Sequence, residues 1–188
     1  MTRSLPALLL LAGCFPDDWN GQPYQPGLGG TTDGGGTWVT DTDGGGGDTG
    51  DTTVPVDRGI VGTWVSEGSH LSDLFAGEPF NYVLVEARFK SDGSYVVTSE
   101  DDGGTSYVLT GRYTTTDGKP GAIELVQAEP YVAEASGIWQ VDGDQLRYEV
   151  VQTLPDYGFA PPTPEKGFGS TSGPGMAPGV NVQVYVRD

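Results

Sequence analysis

One cysteine and one histidine occur in the 188 residues, and nine Lys and Arg face 26 Asp and Glu. A lone cysteine forms no internal disulfide, and a lone histidine, His70, leaves a His-based metal site without its second ligand. The net charge of −17 excludes a nucleic-acid partner, because neutralising phosphates needs clustered cations. It also excludes electrostatic capture by an anionic membrane surface. No apolar run approaches the roughly 20 residues needed to span a bilayer. Neither a Gly-x-Ser-x-Gly elbow nor a Gly-x-x-x-x-Gly-Lys phosphate loop is present. This inventory predicts a protein that is not an enzyme and carries neither cofactor nor metal.

What is abundant is glycine, at 31 residues, and proline, at 14. That skew predicts an ordered part diluted by a low-complexity part. At the N-terminus, Arg3 precedes a short apolar run, 5–12, which reads as a secretory signal peptide. The run closes on Leu11-Ala12-Gly13-Cys14, which resembles the lipobox of bacterial lipoproteins at all four positions. The resemblance implies cleavage of a 1–13 signal and lipidation of Cys14. Several acyl chains, palmitate among them, would then anchor the chain at about 0.8 kcal/mol per buried methylene. Phe15 rather than Asp follows the cysteine, which by the same resemblance directs the protein to the outer membrane of the cell envelope.

Between Phe15 and Asp57 there is no Lys or Arg and no hydrophobic periodicity, only runs such as Asp33-Gly34-Gly35-Gly36. Too little apolar surface is available to offset the entropy of ordering such a segment. Residues 14–57 are therefore read as a lipidated cysteine followed by a disordered tether, holding the domain roughly 30–40 Å from its anchor. Asp41, Asp43 and Asp48 resemble the opening of a calcium loop. Gly45 and Thr52 stand where further ligands belong, so a solvated acidic linker is the better reading.

From Arg58 the pattern changes. Eight of the acids lie in the spacer, which leaves 18 acids against eight bases in 58–188, a net −10. Strands are predicted over 59–66, 80–90, 94–100, 105–115, 122–128, 131–141, 145–152 and 180–187. Asp-Gly turn signals such as Ser91-Asp92-Gly93 and Asp142-Gly143-Asp144 separate them. Closely spaced strands with tight turns pair antiparallel with their neighbours, and eight of them close best into an up-and-down barrel. The class is all-β, an eight-stranded antiparallel barrel. Alternation assigns Tyr107, Leu109, Gly111 and Tyr113 inward on the fourth strand. It does the same for Ala133, Ala135, Gly137 and Trp139 on the sixth and Leu146, Tyr148 and Val150 on the seventh. On the last strand it assigns the dry face to Val180, Val182, Val184 and Val186.

Gly62-Thr63-Trp64 on the first strand is similar to the Gly-x-Trp signature of the lipocalin superfamily, and Tyr185-Val186-Arg187 fits the Arg that ends many of these barrels. The resemblance covers 58–188. It implies a lipocalin-like barrel with a long first connection, 67–79, over its mouth. Two features depart from it: no Thr-Asp-Tyr motif is present, and strand parity sets Arg187 opposite the valine face.

The candidate ligand-binding residues are the inward aromatics Trp64, Tyr107, Tyr113, Trp139 and Tyr148, which could line a cavity or simply fill the barrel. Phe75 and Phe168 are candidate lid residues. The first lies in the 67–79 connection and the second in the Pro- and Gly-rich 153–179, a segment read as either a lid or a disordered excursion. His70 and the Asp101-Asp102 pair fall in turns, where solvated structural roles suffice. Two functions follow. The first is a lipid-anchored envelope protein holding a small apolar ligand in its barrel. The second is a ligandless structural or interaction module that meets another envelope protein.

Overall fold

The structure, a computed structural model, describes residues 59–188. The signal peptide, Cys14 and the tether predicted over 14–57 lie outside the described residues, as does Arg58. Eight strands run β1 (Gly62–Glu67), β2 (Tyr82–Phe89), β3 (Ser94–Asp101), β4 (Ser106–Thr115), β5 (Gly121–Glu129), β6 (Ala133–Asp142), β7 (Gln145–Leu154) and β8 (Gln183–Arg187). Each pairs antiparallel with the next, and β1 pairs with β8 to close the barrel. The predicted class and strand order hold. Four strands begin two or three residues later than alternation suggests, because 59–61, 80–81, 131–132 and 180–182 lead into the barrel without joining its ladder.

The tight turns form where Asp and Gly coincide. Asp92 Oδ1 accepts from Ser94 N at 2.9 Å while Gly93 takes a φ of 78°. Asp101 Oδ1 gathers the N–H groups of Gly103 and Thr105, at 3.0 and 2.8 Å. These bonds hold the carboxyl below its ordinary range, the Thr105 N–H contributing most. The Asp101-Asp102 pair is thus turn machinery, although Asp101 is shifted where mere exposure would leave it unperturbed.

The last strand corrects the sequence reading. Tyr185 and Gln183 are buried at 1% exposure, whereas Val184 and Val186 are only half-buried. Val184 and Val186 face out, and Gln183 and Tyr185 face in. Four alternating valines are the stronger hydrophobic pattern, but register with β1 and β7 fixes the face. The inversion also resolves the parity conflict at Arg187, whose guanidinium now sits 4.0 Å from the centre of the Trp64 ring.

Residues 155–182 form neither lid nor disordered excursion. They lie as a strap along the outer wall of β6 and β7, folded back on itself by an antiparallel bridge between Ala160 and Ser172. Beneath the strap Ile138, Glu149 and Val151 are buried on faces that would otherwise meet water, together with Phe159 and Thr171. The Glu149 carboxylate holds it down, accepting from Gly169 N, from Thr171 N at 3.0 Å and from the Thr171 hydroxyl. Asn181 Nδ2 completes the seam by donating to Val150 O at 3.2 Å and to Thr171 Oγ1 at 3.3 Å.

Candidate functional site

The two ends of the barrel are built differently. At the first, Trp64 is fully buried and its indole Nε1 donates to Ile60 O at 2.7 Å. Arg187 lies over the ring and donates to Val61 O and Gly59 O, at 3.0 and 3.2 Å. Gly62 is required here: its φ is 148°, and a Cβ would run into the Arg187 guanidinium. The stack of Arg, Trp and approach segment shuts this end.

The other end is covered by the β1–β2 connection. A single helical turn, α1 (Asp73–Ala76), places Phe75 over the mouth, where it meets Phe80 edge-on at 5.7 Å and Tyr82 at 5.9 Å. Four residues are too few for a helix to hold itself, so side chains fix it. Ser72 Oγ caps the turn by accepting from Phe75 N at 3.3 Å. Gln183, inward on β8, accepts from Ser72 N and donates to Ser66 Oγ, both at 2.8 Å. Phe75 thus lies buried against Phe80 and Tyr82 in the β1–β2 connection. Phe168 is no lid residue: it lies in the strap, under the Arg147 guanidinium at 4.3 Å on the outer wall.

The five candidate aromatics do not converge on one space. Trp64, Tyr113 and Trp139 belong to the shut half. Tyr113 donates its hydroxyl to Lys90 O at 2.8 Å, and Trp139 Nε1 donates to Ala122 O at 3.2 Å. Tyr148 lies centrally, against Phe89 and Tyr185, each at 6.1 Å. Tyr107 alone stands at the lidded end, 5.9 Å from Tyr82, with its hydroxyl on Asp101 Oδ2 at 3.1 Å. Rings are matched to small neighbours in register, Trp64 to Ala87, Tyr95 to Gly111 and Trp139 to Gly121. A Cβ on Gly111 would meet the Tyr95 ring at 2.7 Å. Trp64, Tyr95, Tyr148 and Tyr185 are each exposed by 2% or less, so these rings are closely packed by their neighbours.

The lidded half is more polar. Ser66, Ser99, Gln127, Gln152 and Gln183 are buried there on inward positions. The side-chain oxygens of Gln127 and Gln152 have no hydrogen-bond partner among the described residues. Sequence reasoning passed over both residues, although a glutamine at the inward parity of Ile123, Leu125 and of Tyr148, Val150 was a visible signal. No group of three or more His, Cys, Asp or Glu able to hold a metal occurs among the described residues, and no helix there is long and apolar enough to cross a membrane.

The buried phenols set the alkaline limit of the fold. Burial raises the Tyr95, Tyr148 and Tyr185 hydroxyls well above their ordinary 10.0, since the interior denies the phenolate its water. The folded value exceeds the unfolded one. Their contribution is therefore complete below pH 10.0 and is lost as the pH climbs through the folded values. Tyrosinate absorbance of the buried rings should rise in one step together with loss of near-ultraviolet circular dichroism. Smooth ionisation of all nine tyrosines in a protein that stays folded would overturn this.

Compared with known proteins, the chain matches no family model, no curated protein and no solved structure.

Proposed function

We propose that this is a lipid-anchored, lipocalin-like protein of the cell envelope that takes a small, largely apolar ligand through the end covered by Phe75. The asymmetry of the barrel carries the reading. One end is locked by a buried indole, a stacked cation and three hydrogen bonds from side chain to carbonyl. The other is shut by a connection whose one helical turn, capped by Ser72, is tied to the barrel by Gln183 and by Leu74 N, which donates to Val180 O at 3.0 Å. A single four-residue turn in a connecting segment has little stability of its own, and binding sites are drawn from such regions. Aromatic faces at Phe80, Tyr82 and Tyr107 would meet an apolar molecule once the turn lifts Phe75 away.

The packing of the shut half favours a second reading, a ligandless module that meets another envelope protein. Val126, Val132 and Leu154, each more than half exposed, and the exposed Tyr157 give that reading an outer surface near the lidded end.

A titration with the neutral dye N-phenylnaphthylamine separates the two, using the full-length Cys14→Ala chain, free of detergent. Binding should saturate at one dye per barrel, and Phe75→Ala, which clears the mouth, should tighten it about tenfold, the scale of one displaced ring. Absence of saturable binding in both forms would reject the ligand reading in favour of the module. The anchor has its own measurement. Membrane fractionation should find the wild-type chain acylated and sedimenting with membranes, and the Cys14→Ala chain in the soluble fraction. A Cys14→Ala chain that still sediments would defeat it.

A further inference from the structure

We infer that the lidded half of the barrel selects a ligand bearing a neutral hydrogen-bond donor, a hydroxyl or an amide N–H, which Gln127 and Gln152 receive on their side-chain carbonyls. The inference rests on the binding reading above and adds the polarity of the ligand.

The orientation of both amides is fixed by chemistry. Gln127 Nε2 donates to Tyr131 O at 2.9 Å and Gln152 Nε2 donates to Pro155 O at 3.1 Å. A carbonyl accepts only from an N–H, so turning either amide over would set oxygen against oxygen. Each Oε1 is thereby held away from its own strand's anchor, buried and without a partner among the described residues. Gln127 is 0% exposed and Gln152 2%. An unsatisfied buried acceptor costs about 1–3 kcal/mol, and two in one half of one barrel call for an explanation.

Register places them on either side of a low wall. Gln127 stands on β5 opposite Ala133 of β6, and Ala135 of β6 stands opposite Gln152 of β7. Two methyl groups are thus all that β6 sends inward between two glutamines whose backbones lie roughly 10 Å apart, two strand spacings. Tyr131, whose carbonyl anchors Gln127, is half-buried at the lidded end. A molecule that lifted Phe75 would reach this gap.

The chemistry of the ligand follows from what the wall lacks. Both orphaned atoms are acceptors, so the partner must donate. A carboxylate would be repelled. An ammonium would enter without a counter-charge, because Glu149 faces outward into the strap, and an unpaired buried charge is prohibitive. A neutral donor on an apolar body remains. Water offers the same donor, and the test separates the two sources.

Octanol and its isomer heptyl methyl ether differ in having or lacking the donor. Competition of each against bound N-phenylnaphthylamine in the full-length Cys14→Ala chain reads the preference. Octanol should displace the dye at about tenfold lower concentration than the ether, the scale of one hydrogen bond to an otherwise unsatisfied acceptor. Gln127→Leu and Gln152→Leu should each shrink that ratio. Near-ultraviolet circular dichroism reports whether each variant folds, and either folded variant suffices. Equal displacement by the two isomers, as a trapped water would give, overturns the inference and leaves the binding reading standing. A dye that never binds removes the reading and the inference together.

Discussion

Trp64→Ala should cost roughly 3–5 kcal/mol, the range for removing a large buried aromatic. For a domain whose total stability is of the order of 5–15 kcal/mol, that is a large part of it. Three losses coincide at this one site. The indole is fully buried, its N–H satisfies Ile60 O at 2.7 Å, and its face carries Arg187 at 4.0 Å. Removing the ring leaves a cavity beside Ala87, a residue too small to fill it. Arg187→Ala should cost less, about 1–2 kcal/mol, since it forfeits the stacking and two bonds to carbonyls at a partly solvated site. Urea unfolding of the two variants checks the order. A Trp64→Ala midpoint no lower than that of Arg187→Ala would mean that the ring does not lock the closed end.

Glu149→Leu should release the strap while leaving the barrel closed. The carboxylate receives three donors from Gly169 and Thr171, and no other side chain contributes as many bonds between the strap and β7. Bonds to a charged acceptor contribute about 1.5–3 kcal/mol each, and losing the buried charge returns part of that. A net change of about 3 kcal/mol in the local opening equilibrium is expected, on the order of a hundredfold. Lys166 is the sole Lys or Arg within 155–182 and is exposed, so trypsin reads that opening directly. Cleavage after Lys166 should accelerate on the order of a hundredfold in Glu149→Leu, with the β-rich circular dichroism of the barrel retained. An unchanged cleavage rate would show that the strap is held by its apolar contacts, Phe159 and Val151 among them.

How much of this was legible beforehand divides along a physical line. Local chemistry was readable. Asp and Gly at the corners dictate tight turns wherever they fall, and alternation over six to ten residues identifies strands without reference to anything distant. Eight such strands in a row determined the barrel, whereas the placing of 67–79, with Phe75, over the mouth came only from the resemblance to lipocalins. The facing of β8 was not readable, since its parity depends on which neighbours it pairs with. A strand of valines can lie outward when the ladder demands that Tyr185 and Gln183 face in. The strap was hidden for a related reason. Pro- and Gly-rich composition describes the freedom of a segment in isolation, whereas a buried carboxylate some twenty residues back, on β7, decides whether that freedom is surrendered. Gln127 and Gln152 make the same point from inside: their polarity was written in the sequence, but their unmet carbonyls exist only once β5, β6 and β7 stand side by side. The sequence by itself determined the strands, the turns and the number of staves, because those are properties of neighbouring residues. Tertiary structure alone decided which faces are dry and which polar atoms go unanswered, because burial and hydrogen bonding are relations between residues far apart in the chain.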